Sequence, residues 1–433
     1  MTTEYKSPAY MQAFRCLGGE CEDTCCQHWD IRLDKVHYEK LREAVSAAPE
    51  QLKLFQQYIV LNDSEQATAR DFAHIKLNAE GFCPFLETDG LCLLHAKFGV
   101  APLSNVCAFF PRVLSAYAER IEMTGALSCP EVVRRCLLSD DSEQAYLEFN
   151  PGILPRTQDI PLTRVVPANE IDFYATQFPL VREVMLWLAQ LENYAFETRL
   201  YFLSNLCHRL ARGYHQACAA NQKLLDEELG RIQAVRTLDS LDKYYLNYVT
   251  AEPVAIVVIQ AVLQLRMQHA PDDKLSLMAS GIFANYRSQI QDERDIEVYG
   301  ENLPPDELWH CYQRNWDMLN AHYGIRLEQC LSRYLVNCLQ REWFVSMPDT
   351  FVYLHLLTIR LAILRFLIAS HPRILQCLQQ QTDSTEIDKQ VVEIVYLFAR
   401  GIDHNHAFLQ VVYQAMAEQQ MMSFDYAMPF IKF

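Results

Sequence analysis

Nine of the chain's fifteen cysteines fall before residue 137, and four of those crowd into one short run, Cys16-Leu-Gly-Gly-Glu-Cys21-Glu-Asp-Thr-Cys25-Cys26. Thiols that merely fill a core are scattered through it as small hydrophobes. Here they gather at short intervals and recur at Cys83, Cys92, Cys107 and Cys129. That clustering points to a metal or iron–sulfur centre, and it constrains the N-terminal part to irregular, turn-rich backbone able to aim several sulfurs at one place. Disulfides are the competing use of cysteine. The opening Met-Thr-Thr-Glu-Tyr-Lys lacks a basic segment followed by an apolar one, so the expectation is a cytoplasmic chain with reduced thiols.

With 50% hydrophobic and 21% charged residues, a 433-residue chain buries sizeable cores without help from a metal. The formal net charge of −16 argues against a nucleic-acid partner, because phosphate recognition relies on clustered Lys and Arg. It suits a basic or lysine-bearing protein surface. The most apolar stretch, Phe351 to Ala369, is interrupted by His355, Arg360 and Arg365, which are expensive at bilayer depth. It reads as a buried helix, and no transmembrane segment is expected.

Composition shifts near residue 150. Pro151, Pro155, Pro161 and Pro167 fall within one short stretch, a density that disfavours both helix and central strand. Residues 150–167 are therefore expected to link a cysteine-rich domain, 1–149, to a helical domain, 168–433. In the latter, Val181, Val184, Met185, Leu188 and Leu191 mark one helix face after Pro179. Pro304-Pro305-Asp306-Glu307 opens a helix that Gly324 closes, and Asp349 caps another that stops before His371-Pro372. Further helices are expected over about 200–235, 253–270, 276–298, 326–343, 384–400 and 405–421. The fold class is mainly α: an irregular cysteine-rich domain with at most a short hairpin, packed on a larger all-helical one. With 13 glycines and no GxGxxG or GxxxxGK[ST], no Rossmann fold or phosphate loop is expected.

Iron–sulfur clusters take thiolates from a compact loop plus distant cysteines. Gly18 and Gly19 give the Cys16–Cys26 run the turns it needs, although adjacent Cys25 and Cys26 project in different directions. Asp89-Gly90 is a hairpin-type turn that brings Cys83 and Cys92 onto two meeting arms. Zinc is the alternative occupant, but structural zinc sites favour paired CxxC knuckles, and none occurs. His28, whose imidazole can bind a ligand or carry a proton, and Arg112, whose fork suits a carboxylate, are candidate cofactor-binding residues. A packed histidine and an ordinary salt bridge are the alternatives. Cys207, Cys218, Cys311, Cys330, Cys338 and Cys377 read as buried small hydrophobes in helices, His404 and His406 as parts of an inter-helix loop, and Cys129 as a spare ligand.

The Cys16-x4-Cys21-x3-Cys25-Cys26 run, followed by Phe82-Cys83-Pro-Phe-Leu86, Leu91-Cys92 and Cys107-Ala-Phe-Phe-Pro-Arg112, resembles the bacterial flagellin lysine N-methylases, a branch of the CxxCxxCC proteins presumed to bind metal. The motifs lie within about residues 5–130. The resemblance implies S-adenosylmethionine-dependent methylation of lysine side chains on flagellin before export, with an iron–sulfur cluster, most simply 4Fe–4S. It carries Cys16, Cys21, Cys25, Cys26, Cys83, Cys92 and Cys107 over as candidate ligands, more than one cluster needs. The radical enzymes of this methyl donor use CxxxCxxC, whereas Cys21-x3-Cys25-x2-His28 departs from it. A catalytic and a structural cluster thus both stand open. The alternative function is a non-enzymatic metal-binding or redox-sensing protein. Oligomeric state is not readable, and an oligomer is compatible with the sequence.

Overall fold

The computed structural model of the chain describes residues 3–63, 67–117, 119–166, 173–212, 218–250, 253–290, 302–344 and 347–433. They divide into two units, Met1–Arg135 with Ser139–Ala168, and Cys136–Leu138 with Asn169–Phe433.

Short strands organise the first unit: β1 (Glu4–Pro8), β2 (Ile31–Leu33), β3 (Ile59–Leu61), β4 (Ala73–Ile75), β5 (Arg112–Tyr117), β6 (Arg120–Gly125), β7 (Tyr146–Glu148) and β8 (Leu162–Val166). A five-stranded sheet has the order β7-β1-β6-β5-β8, with β1 parallel to β6 and β5 parallel to β8, and an antiparallel three-stranded sheet has the order β2-β4-β3. This is more strand than the short hairpin expected. β6 shows why: Glu122, Met123, Thr124 and Gly125 are all buried, so no polar–apolar alternation marks it.

Six helices punctuate these strands: α1 (Ala9–Gln12), α2 (Lys35–Ser46), α3 (Pro49–Tyr58), α4 (Leu93–Phe98), α5 (Asn105–Phe109) and α6 (Pro130–Leu138). The Asp34 carboxylate accepts the His37 N–H at 3.0 Å and starts α2. His37, Leu41 and Val45, four residues apart, then form the buried stripe. The proline-rich run expected as a linker is instead built into this unit. Arg156 and Asp159 pin it through side chains, and β8 follows Pro161 as an edge strand, where the prolines interrupt no ladder.

In the second unit the described helices are α7 (Phe173–Ala189), α8 (Phe196–Ala211), α9 (Cys218–Ile232), α10 (Val235–Asn247), α11 (Val254–His269), α12 (Lys274–Gln289), α13 (Pro305–Arg341), α14 (Thr350–Ser370), α15 (Pro372–Gln380), α16 (Ser384–Phe398), α17 (His406–Glu418) and α18 (Phe424–Ile431). The chain is mainly α, as its periodicity indicates. Asp349 accepts the Val352 N–H at 2.8 Å, and α14 ends ahead of His371-Pro372 as expected. α14 is long and apolar enough to cross a membrane by composition, yet every residue in it is buried within the protein. Two expectations fail. α7 begins ahead of Pro179, at Phe173. Gly324 does not close a helix, because α13 runs 37 residues through it. A mid-helix glycine costs about 1 kcal/mol, and burial of Leu319, Tyr323, Leu327 and Leu331 on one continuous stripe outweighs that. The expected stretch 276–298 is seen as α12 to Gln289, and its remainder lies largely outside the described residues.

Candidate functional site

Three backbone junctions in the first unit bring sequence-distant cysteines together. The first joins the Cys16–Cys21 turn to the Asp89-Gly90 turn. A Cβ on Gly19 would sit 2.1 Å from the Asp89 carbonyl oxygen, and one on Gly90 would sit 3.0 Å from the Gly19 Cα. Gly18 and Gly90 both take positive φ, 57° and 78°. The hairpin closes as Glu87 N–H donates to the Leu91 carbonyl at 2.8 Å and Leu86 bridges Cys92. The second junction is a short antiparallel stitch: Gln27 bridges Phe82, Cys83 N–H donates to the Cys26 carbonyl at 2.8 Å, and His28 N–H donates to the Gly81 carbonyl at 2.9 Å.

The third junction fixes Cys107 on α5. Ser104 Oγ accepts the Cys107 N–H at 3.2 Å, and Asn105 Nδ2 donates to Asp34 Oδ2 at 3.0 Å. Behind them the buried His37 bridges Asp34 and Asp159, at 2.6 and 2.9 Å, while Arg156 donates to the Leu103 carbonyl at 2.8 Å and to Asn105. Burial alone would raise the Asp159 carboxyl, but Lys40, Arg156 and His37 together hold it below the ordinary carboxylate range.

These junctions place seven thiols in one electrostatic neighbourhood. Burial raises Cys21, and the charges of Glu22, Cys16 and Cys25 raise it further. Burial pushes Cys83 up to about 11, with Cys92 and Cys25 adding to the shift. Cys129, lifted by burial to about 12, also feels Cys21 and Cys25. Cys107 borders solvent, yet the protein around its sulfur lifts it to about 12, and Cys92, Cys83 and Cys25 all act on it. Surface area sets access to that thiol, while the surrounding protein sets its proton affinity. Cys25 acts on all four of these thiols, which makes it the hub. Backbone N–H groups already serve some sulfurs: Gly18 donates to Cys16 Sγ at 3.4 Å, Phe85 to Cys83, and Glu131 and Val132 to Cys129.

Several further residues have particular places. Cys26 joins through its backbone, accepting from Cys83 and donating to Thr24 Oγ1 at 3.1 Å. Cys129, outside the seven carried over from the resemblance, lies within the neighbourhood; its only sequence signal is the Cys-Pro start of α6. Arg112 lies 5.1 Å over the Phe14 ring, feels Cys16 and Cys129, and has no carboxylate ion pair among the described residues. His28 is exposed at φ 53°, and its ring occupies the space a Gly81 Cβ would need.

The donor set fits a soft, thiophilic centre: seven sulfurs, partly exposed, with backbone N–H groups directed at sulfur. Several thiolates so close together would repel one another without a compensating cation. Among the described residues no three His, Cys, Asp or Glu side chains stand in metal-coordinating geometry. The thiols form a neighbourhood, not a closed cage.

A second polar cluster, in the second unit, went unread in the sequence. Arg360 on α14 donates to Glu342 Oε1 and Oε2 at 2.9 and 2.6 Å and to Asp403 at 3.3 Å, Tyr334 donates to Asp403, and Arg341 meets Glu342 and His404. The wider helical turn Ala399–Asp403 delivers Asp403. Burial raises Asp403 and the two arginines oppose that. Two cations against two carboxylates balance, so the cluster braces the helices. His404 belongs to it and not to a simple loop.

Comparison with known proteins adds independent findings. Residues 182–430 match the family model described as the FliB lysine N-methylase C-terminal domain. The chain is 34% identical to the lysine-N-methylase of Salmonella choleraesuis over 77% of this chain and 72% of that one. The Salmonella typhimurium lysine-N-methylase is 33% identical over the same shares. The flagellar biosynthetic protein FliU of Salmonella muenchen is 34% identical over 31% of this chain and 78% of its own. No solved structure matches significantly.

Proposed function

The chain belongs to the flagellin lysine N-methylase family and is a protein-lysine methyltransferase; from that premise we propose that it transfers methyl from S-adenosylmethionine to lysine side chains of flagellin in the cytosol, with an iron–sulfur cluster held by the thiols of its first unit. Membership sets aside the non-enzymatic reading. The observation that carries the cluster is the convergence of Cys16, Cys21, Cys83, Cys92, Cys107 and Cys129 on the neighbourhood of Cys25. Flagellin as substrate is supported by the flagellar name of one relative and by the net charge of −16, which suits a lysine-bearing partner.

Methyl transfer breaks a sulfonium carbon–sulfur bond and forms a carbon–nitrogen bond. The lysine amine must therefore be neutral when it attacks, its proton having passed to solvent, and it must be aligned with the methyl carbon. The thiols named above would hold the cluster, which when bound supplies either redox chemistry or a coordinating iron. Gly18, Phe85, Glu131 and Val132 N–H groups stabilise negative charge on the sulfurs. Arg112, facing two of the thiols and free of a carboxylate ion pair among the described residues, would hold the donor's carboxylate. Exposed His28 would stand at the rim beside Phe82. The test is transfer of labelled methyl from S-adenosylmethionine to co-expressed flagellin. Label on flagellin lysine is the expected result, and a folded, metal-loaded protein that leaves flagellin unlabelled would overturn the reading.

A further inference from the structure

A recess of about 360 Å³ opens in the first unit between α3 and the hairpin that carries Cys83 and Cys92. Leu54 and Tyr58 line it from α3, and Phe82, Leu86, Cys83 and Glu87 line it from the hairpin side. Its composition is specific. Apolar side chains and two aromatic rings share the wall with the polar Asn78 and Thr88, and the one carboxylate among the lining residues is Glu87. Glu87 is exposed, and no cation pairs with its side chain among the described residues. Cys83 belongs at once to this wall and to the thiol neighbourhood.

We propose that this recess receives the target lysine of the protein substrate. An alkyl chain of four methylenes ending in an ammonium needs an apolar slot, aromatic faces for the cationic or methylated head, and one carboxylate to offset its charge. The recess supplies all three. It is open, as a slot must be to accept a side chain presented by a folded protein. The amine that enters along Leu54 and Leu86 comes to rest beside Cys83, at the edge of the centre proposed above. This placement rests on that reading for its biological substrate, while its ligand chemistry can be tested alone.

The probes are Nα-acetyl-lysine amide, its Nε-trimethyl form and the uncharged norleucine analogue, titrated against the full, metal-loaded chain by NMR, with S-adenosylmethionine titrated in parallel. The lysine probes are expected to bind and norleucine not. Leu54→Trp, which fills the slot, removes lysine binding; Glu87→Gln weakens it about fivefold, the effect of one exposed charge pair. Both variants keep wild-type metal content and donor binding. In flagellin labelling, Glu87→Gln raises KM and leaves kcat unchanged. Lysine binding undiminished in Leu54→Trp overturns the proposal, as does loss of donor binding with lysine binding intact, which would make the recess a donor site. Absence of flagellin labelling with intact probe binding instead counts against flagellin as substrate and leaves the slot standing.

Discussion

Cysteines of the two units meet opposite fates. In the first unit Cys16, Cys25 and Cys107 keep exposed surface and share one electrostatic neighbourhood, whereas in the second Cys207, Cys311, Cys330 and Cys338 are buried along helices. Burial lifts Cys207 and Cys338 far above the ordinary thiol range, with Asp349 adding at the first and Glu342 at the second. The difference lies in the backbone. In the second unit a long helix carries a thiol into a stripe of larger apolar neighbours, such as Leu331, Tyr334 and Leu335 on the face of Cys338. A glycine-dependent turn brings it to other thiols instead, as Gly19 and Gly90 do. The same residue type is a donor in one setting and filler in the other.

The comparison breaks most directly through Cys25→Ser, which removes the hub and lowers methyl transfer at least about tenfold; Cys338→Ala leaves it near wild type. A reversal of those two results in the labelling assay would refute the contrast. Next in size is Arg360→Ala. It strands Glu342 and Asp403 in the second unit and destabilises the chain by about 3–5 kcal/mol, read from chemical denaturation. Metal content in the folded fraction stays unchanged. Gly19→Ala forces the Asp89 turn away and is expected to cost about 1–3 kcal/mol and reduce metal content without touching a thiol. Undiminished metal in that variant would show that the two turns need not touch. Cys338→Ala itself costs about 1 kcal/mol as a small cavity.

The smallest effect concerns pH. Asp159 has its folded pKa held below the ordinary 3.8, so its contribution is fully present above that value and is lost as pH falls through the folded value. Asp159→Asn therefore flattens the acid end of the stability curve and leaves neutral-pH methyl transfer unchanged. An acid limb identical to wild type would remove Asp159 from the account.

Periodicity exposed the second unit because long buried stripes survive in one dimension: Val181, Val184, Met185 and Leu188 are buried as spaced, and Asp349 caps α14. Glycine in α13 misled because a local propensity of about 1 kcal/mol yields to packing. β5 and β6 hid because both strand faces are buried. In the site, the clustering of Cys16 to Cys26 was legible. Cys129, read as a spare ligand, joins the neighbourhood. The backbone role of Cys26 and the Arg341–Glu342–Arg360–Asp403 cluster were not legible, since each depends on residues far apart in sequence.

The most direct test of a thiol-held centre is iron, sulfide and zinc analysis of anaerobically purified protein beside Cys25→Ser and Cys338→Ala. About four irons and four sulfides per chain are expected, lost in Cys25→Ser and retained in Cys338→Ala. Zinc without sulfide, or iron retained in full by Cys25→Ser, would contradict that expectation.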